Sequence, residues 1–190
     1  MLFETICIHN GAIQHLSLHQ MRLERSQAAL FEEYEPIDLG KVVRPPSGKG
    51  VLKCRVLYAQ RLAEVTYEPY RPRPVSTLKA IEARIDYAHK FSDREAIEDL
   101  FARRGEADDI LIIREGMVTD TSVANIAFLK DRHWYTPKNP LLKGTTRERL
   151  LRSGFLIPRE IRLDELSSFE GFALLNAMIG FQPVKHGKIV

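Results

Sequence analysis

Three features of the sequence predict an α+β fold in two parts. Short, alternating β-rich runs are punctuated by turn residues, beginning around Asn10-Gly11. Boxes of the Ser/Thr-x-x-Glu/Gln type mark helix starts between those runs. Arg71-Pro72-Arg73-Pro74 cannot sit inside a sheet or a helix, so it divides the chain. The expected division is 1–74 and 75–190.

In order, residues 2–9 alternate as a strand, Asn10-Gly11 turns the chain, and a second strand runs to about Leu18. Ser17 and Gln20 form a capping box, and Met21, Leu23, Leu30 and Phe31 follow at roughly helical spacing. Residues 35–50, with Pro36, Pro45, Pro46 and three glycines, read as loop. Strands follow at Val51–Ala59 and Ala63–Tyr70. Beyond the proline-rich linker, a strand near Ala80–Tyr87 leads to Lys90. Ser92 and Glu95 make a second capping box, for a helix ending at Gly105. A β-meander is expected over residues 109–136, with strands Ile110–Ile113, Val118–Thr121, Asn125–Leu129 and Trp134–Thr136. Thr145 and Glu148 make a third capping box, for a helix to Gly154, and Phe172–Asn176 is the last clear strand.

Composition excludes several classes. Hydrophobic residues at 44% and charged residues at 28% are ordinary for a soluble globular protein. The net charge of +3 is spread among acids, which gives a mildly basic surface suited to small anions and no nucleic-acid stripe. Cys7 and Cys54 have no CxxC spacing, so neither a disulfide framework nor a metal site is expected. No run reaches the length of a membrane span, and the N-terminus lacks a basic, long apolar leader. The expectation is a cytoplasmic protein with no membrane or nucleic-acid partner.

Five places carry possible chemistry. Lys90, among Tyr87, Ala88 and Phe91, is either a partly desolvated reactive amine or a solvated surface lysine. Asp120 either points inward as an acid that holds a cationic ring or sits in a turn. Gly144-Thr145-Thr146 opens a helix, where free amides and the helix dipole suit a phosphate or simply make an N-cap. Arg22 lies in the first turn of its helix, unfavourably for the dipole, or is merely solvated. Asn176 ends a strand and either contacts a ligand or makes a turn. An amine, a carboxylate and a phosphate-cradling helix start are together what pyridoxal 5'-phosphate (PLP) requires.

In this order the residues resemble the class IV aminotransferase family, the fold-type IV PLP enzymes. That family contains branched-chain and D-amino acid aminotransferases and 4-amino-4-deoxychorismate lyases. Phe3-Glu4-Thr5-Ile6 with His19-Gln20-Met21-Arg22-Leu23 and Ser26 looks like its N-terminal pattern, which implies that Arg22 holds the phosphate. His89-Lys90 with Arg94 resembles the lyases fused to aminodeoxychorismate synthase, which implies that Lys90 forms the Schiff base. Thr119-Asp120 through Asn125-Ile126 matches the strand whose acid contacts the pyridine nitrogen. The family usually has glutamate there, so with the shorter Asp120 the ring shifts or a water bridges. Tyr135-Thr136-Pro137 and Leu142 through Arg147 match the "TP…LxGxTR" segment, which implies phosphate binding by Thr145 and Thr146. Leu175-Asn176-Ala177-Met178 with Pro183-Val184 looks like a second phosphate-contacting turn, which gives that role to Asn176 and Ala177.

The resemblance implies a small N-terminal α/β domain and a larger β-barrel-like, PLP-binding domain with helices. It also implies a homodimer and PLP in the cleft between domains. The sequence around Lys90 favours the lyase, which releases pyruvate and gives 4-aminobenzoate for folate synthesis. Catalytic Lys90 would deliver a proton to the departing carbon, and Arg94 would anchor a substrate carboxylate or pair with Glu98. The alternatives are a D- or branched-chain amino acid aminotransferase and a phosphate-ligand-binding homologue without catalysis.

Overall fold

The computed structural model describes all residues from Met1 to Val190. The fold is α+β, as expected, and it divides into two compact units. The first holds residues 1–72 and 89–93, and the second holds residues 73–88 and 94–190. Lys90 therefore counts with the first unit.

The first unit is built on a four-stranded antiparallel sheet in the order β2-β1-β3-β4. Its strands are β1 Leu2–His9, β2 Ala12–Ile13, β3 Val51–Tyr58 and β4 Leu62–Pro69. Asn10 and Gly11 both take positive φ, 51° and 80°, which is what a two-residue hairpin turn demands. The second strand stops at Ile13, short of the expected Leu18. His15 at φ 50° swings the chain directly into helix α1, Leu16–Leu30. Ser17 is thus already inside the helix and caps nothing. Helix α2, Leu39–Val42, forms within the expected loop because Leu39 and Val43 are buried in the core. That core combines Leu2, Ile6, Ile8, Leu23, Val56 and Tyr58. Ile6 faces Cys54 and Cys7 faces Lys53, so the two cysteines point to opposite faces of the sheet, and both are free.

Residues 89–93 dock on the start of β1. The Phe3 amide donates to the Lys90 carbonyl at 2.9 Å, and the Ser92 amide donates to the Met1 carbonyl at 3.0 Å. Ser92 is thereby used on β1 and does not cap a helix.

The second unit carries a nine-stranded sheet whose main path is β10-β9-β8-β7-β6-β5-β13, with β11 beside β8 and β12 beside β11. The strands are β5 Thr77–Glu82, β6 Asp109–Arg114, β7 Met117–Thr121, β8 Asn125–Lys130, β9 His133–Pro137, β10 Leu156–Arg159, β11 Gly171–Asn176, β12 Gly180–Val184 and β13 Lys188–Ile189. The expected meander is present. The strand expected at 80–87 instead occupies Thr77–Glu82, in parallel register with β6 across helix α3, Glu95–Ala102. Helix α4, Thr145–Arg152, packs Leu150 against Leu156 and Leu175. Strands β10, β12 and β13 were not expected. Two are only two to four residues long, and β12 contains a proline, so pairing partners decide them. No helix is long and apolar enough to cross a membrane.

Candidate active site

In the first unit, α1 carries His19 and Arg22 three residues apart, so both face β1. There they meet Glu4, whose side chain is fully buried. Arg22 donates from Nε to Oε1 at 2.8 Å and from Nη2 to Oε2 at 2.6 Å, and His19 Nδ1 lies 2.6 Å from Oε2. Burial alone would push the Glu4 carboxyl up, but the Arg22 charge and the bonds from His19 and Arg22 outweigh it and hold it at about 2. An ionised carboxylate only accepts, so Nδ1 of His19 carries the proton. This geometry commits His19 to Glu4, and no group of three His, Cys, Asp or Glu side chains gathers to hold a metal.

Lys90 is half-buried, with its ammonium 4.4 Å from the centre of the Phe3 ring. His89 Nδ1 reaches Ser26 Oγ on α1 at 3.3 Å. Lys90 and Arg22 are thus both attached to β1, through Phe3 and Glu4. Those neighbours face opposite sides of the strand, so β1 fixes both residues without by itself turning them to one side.

In the second unit, Asp120 stands directly opposite Asn125 across the β7–β8 pair and is 5% exposed. Asn125 Nδ2 donates to Asp120 Oδ1 at 2.7 Å and to the Leu142 carbonyl at 2.8 Å, while the Leu142 amide donates to Asp120 Oδ2 at 2.9 Å. Burial pushes the carboxyl up to about 6, against the opposing pull of these donors and of the Arg147 guanidinium. Arg147 is itself buried and ties α4 to β9 through the Pro137 carbonyl at 2.7 Å.

Gly144 precedes α4, and no side chain caps the helix. Thr145 is the first helical residue, so the expected Thr145–Glu148 box does not form. Thr145 and Thr146 are buried. A Cβ at Gly144 would lie 2.0 Å from Asn125 Oδ1, so the glycine lets the Asp120 network touch the helix start.

The turn after Asp120 gathers two more candidates. Arg94 Nη2 donates to the Ser122 carbonyl at 2.7 Å and Nη1 to the Tyr87 hydroxyl at 3.1 Å, in place of the alternative pairing with Glu98. Asn176 Nδ2 donates to the Val123 carbonyl at 3.3 Å, and its Oδ1 accepts from the amides of Met178 and Ile179. Asn176 therefore makes a tight turn with Ala177 inside it.

In the second unit the residues fit PLP. Beyond the bonds from Asn125 and Leu142 the Asp120 carboxylate keeps acceptor capacity, and a pyridinium would add counter-charge to that of Arg147. The first amides of α4 suit a phosphate. Glu4, His19, Asn125 and Arg147 stand within the family-like motifs, but the sequence assigned none of them a role of its own. Only Asn125 had a local signal, its place across a four-residue turn from Asp120.

The family "Amino-transferase class IV" matches residues 56–186, a span that includes Lys90, Asp120, Thr145, Thr146 and Asn176 and begins after Arg22. An uncharacterized protein of Haemophilus influenzae is 38% identical over 184 residues, 94% of this chain and 98% of its own. A protein of Schizosaccharomyces pombe named "Putative aminodeoxychorismate lyase" is 26% identical over 210 residues, 100% of this chain and 89% of its own. A crystal structure from Haemophilus somnus 129PT, called a "putative 4-amino-4-deoxychorismate lyase", superposes with a TM-score of 0.86 at 37% identity, covering 94% of this chain and 96% of that one. With the family's pattern running through most of its length and its fold shared with a solved relative, the chain belongs to the class IV aminotransferases and has the fold-type IV architecture.

Proposed function

We propose that the chain is a PLP-dependent enzyme of this family, with 4-amino-4-deoxychorismate lyase as its activity. The observation that carries the cofactor assignment is the buried Asp120 carboxylate, bonded through Asn125 and Leu142 to the uncapped start of α4. An acid and an anion site joined by one side chain match the two ends of PLP. The lyase assignment draws on the Haemophilus somnus and Schizosaccharomyces pombe relatives that bear that name and share nearly the whole length of this chain.

When bound, PLP supplies an electron sink for the substrate carbon. Asp120 would keep a proton on the ring nitrogen. The Thr145 and Thr146 amides and the Asn176–Ala177 turn would hold the phosphate in the second unit, and the family likeness gives the same role to Arg22 in the first. Lys90 would be the attachment point, and its free Nζ would take the proton from the substrate carbon and return it to the departing enolpyruvyl carbon. Arg94 anchors a substrate carboxylate from its fixed place beside Tyr87. By the same family likeness the working form is a homodimer, and a monomeric mass on sedimentation would remove that part.

The test is visible absorbance of the purified protein with added PLP, beside Lys90→Ala. A borohydride-reducible band in the parent, absent from the variant, is expected. No band in the parent rejects the enzyme. Pyruvate release from 4-amino-4-deoxychorismate without a second keto acid is then expected, whereas turnover that needs a keto acid marks an aminotransferase.

A further inference from the structure

Resting on the PLP reading above, we infer that Glu4 is a positioning residue for the cofactor phosphate, acting through Arg22 and braced by His19. Glu4 is an acid on a strand whose neighbours Leu2, Phe3, Ile6 and Ile8 are buried and apolar. A buried ion pair is a poor way to gain stability, since well-packed apolar residues do as well or better. What the arrangement does provide is direction. Two parallel bonds from Nε and Nη2 fix both the plane and the heading of the Arg22 guanidinium. The Arg22 side chain is 13% exposed, so the edge bonded to Glu4 is locked inward while the side chain is not fully enclosed. The third bond, from His19 Nδ1, holds Oε2 so that the carboxylate cannot rotate away. Arginine recognises phosphate through a planar fork, and a fork must be aimed.

In this scheme Glu4 touches neither cofactor nor substrate. Glu4→Gln keeps the size but places an amide against the Arg22 and His19 donors, which releases the guanidinium. The experiment titrates the full chain and its Glu4→Gln variant with PLP and with pyridoxal, which lacks the phosphate, and follows thermal melting alongside. The expected result is PLP affinity weaker by about tenfold or more, the size of a lost charge-assisted bond, with pyridoxal affinity unchanged.

Equal loss for both ligands, no loss, or tighter PLP binding would each overturn the inference, the last by showing that the Glu4 charge opposes the phosphate more than it aims Arg22. If Glu4→Gln does not melt cooperatively, the His19 variants decide. His19→Asn, which keeps a donor near Nδ1, should retain PLP affinity, and His19→Ala should lose it selectively over pyridoxal. Identical behaviour of these two variants overturns the inference. An unaltered chain that binds no PLP rejects the cofactor assignment itself, and the inference with it.

Discussion

At the scale of single residues, two buried carboxylates are tuned in opposite directions. Glu4 is held at about 2, below its ordinary 4.5, so it contributes stability that is complete above 4.5 and lost as pH falls toward 2. Breaking that buried pair with Glu4→Gln should cost about 3 kcal/mol at neutral pH, read from urea midpoints. Asp120 is raised from 3.8 to about 6. Its contribution is complete below 3.8 and is lost as pH rises through 6, a change of about 3 kcal/mol. Asp120→Asn cannot ionise, so its stability relative to the parent should improve between pH 4 and pH 8 when no cofactor is present. A difference that stays flat across that range would mean Asp120 is not buried against its charge. Each carboxylate is visible in the sequence only as an acid. Its tuning comes from donors fifteen to eighteen residues away for Glu4, and for Asp120 from burial by the fold, which outweighs the Asn125 and Leu142 donors.

At the scale of elements, the start of α4 and the β7–β8 pair depend on one another at Gly144. Gly144→Ala puts a methyl group into Asn125 and should cost about 1–3 kcal/mol through overpacking, together with a loss of PLP affinity. Asn125→Ala combined with Gly144→Ala removes the clash, so the double variant should be less destabilised than the sum of the singles. Strict additivity in denaturation would argue against the contact. The meander was legible because each strand carries its own alternation and turn. The three capping boxes were misleading for a shared reason. A box is a local preference, and here His15, the docking of Ser92 on β1, and the extended Gly144 set the helix starts from outside the helices.

For the whole molecule, the net charge of +3 favours an anionic ligand at long range without selecting one. PLP binds only folded chain in this scheme. At a hundred times its dissociation constant it should therefore raise stability by about 2.7 kcal/mol, visible as a higher melting temperature. Lys90→Ala should shrink that gain while inorganic phosphate still protects weakly through the α4 start. An unchanged melting temperature with saturating PLP would contradict the cofactor assignment at this scale.

The α+β class, the Asn10-Gly11 hairpin, the meander and the order of candidate residues from Arg22 to Ala177 are legible in the unfolded chain. These are carried by local periodicity, turn chemistry and motif spacing. Tertiary structure alone decided that residues 89–93 join β1, that β5 lies parallel to β6, and that Glu4 grips Arg22 while Asn125 joins Asp120 to Gly144. Those choices are made by hydrogen bonds and burial between segments distant in the chain, and one segment's residues do not encode what another will bring to meet them.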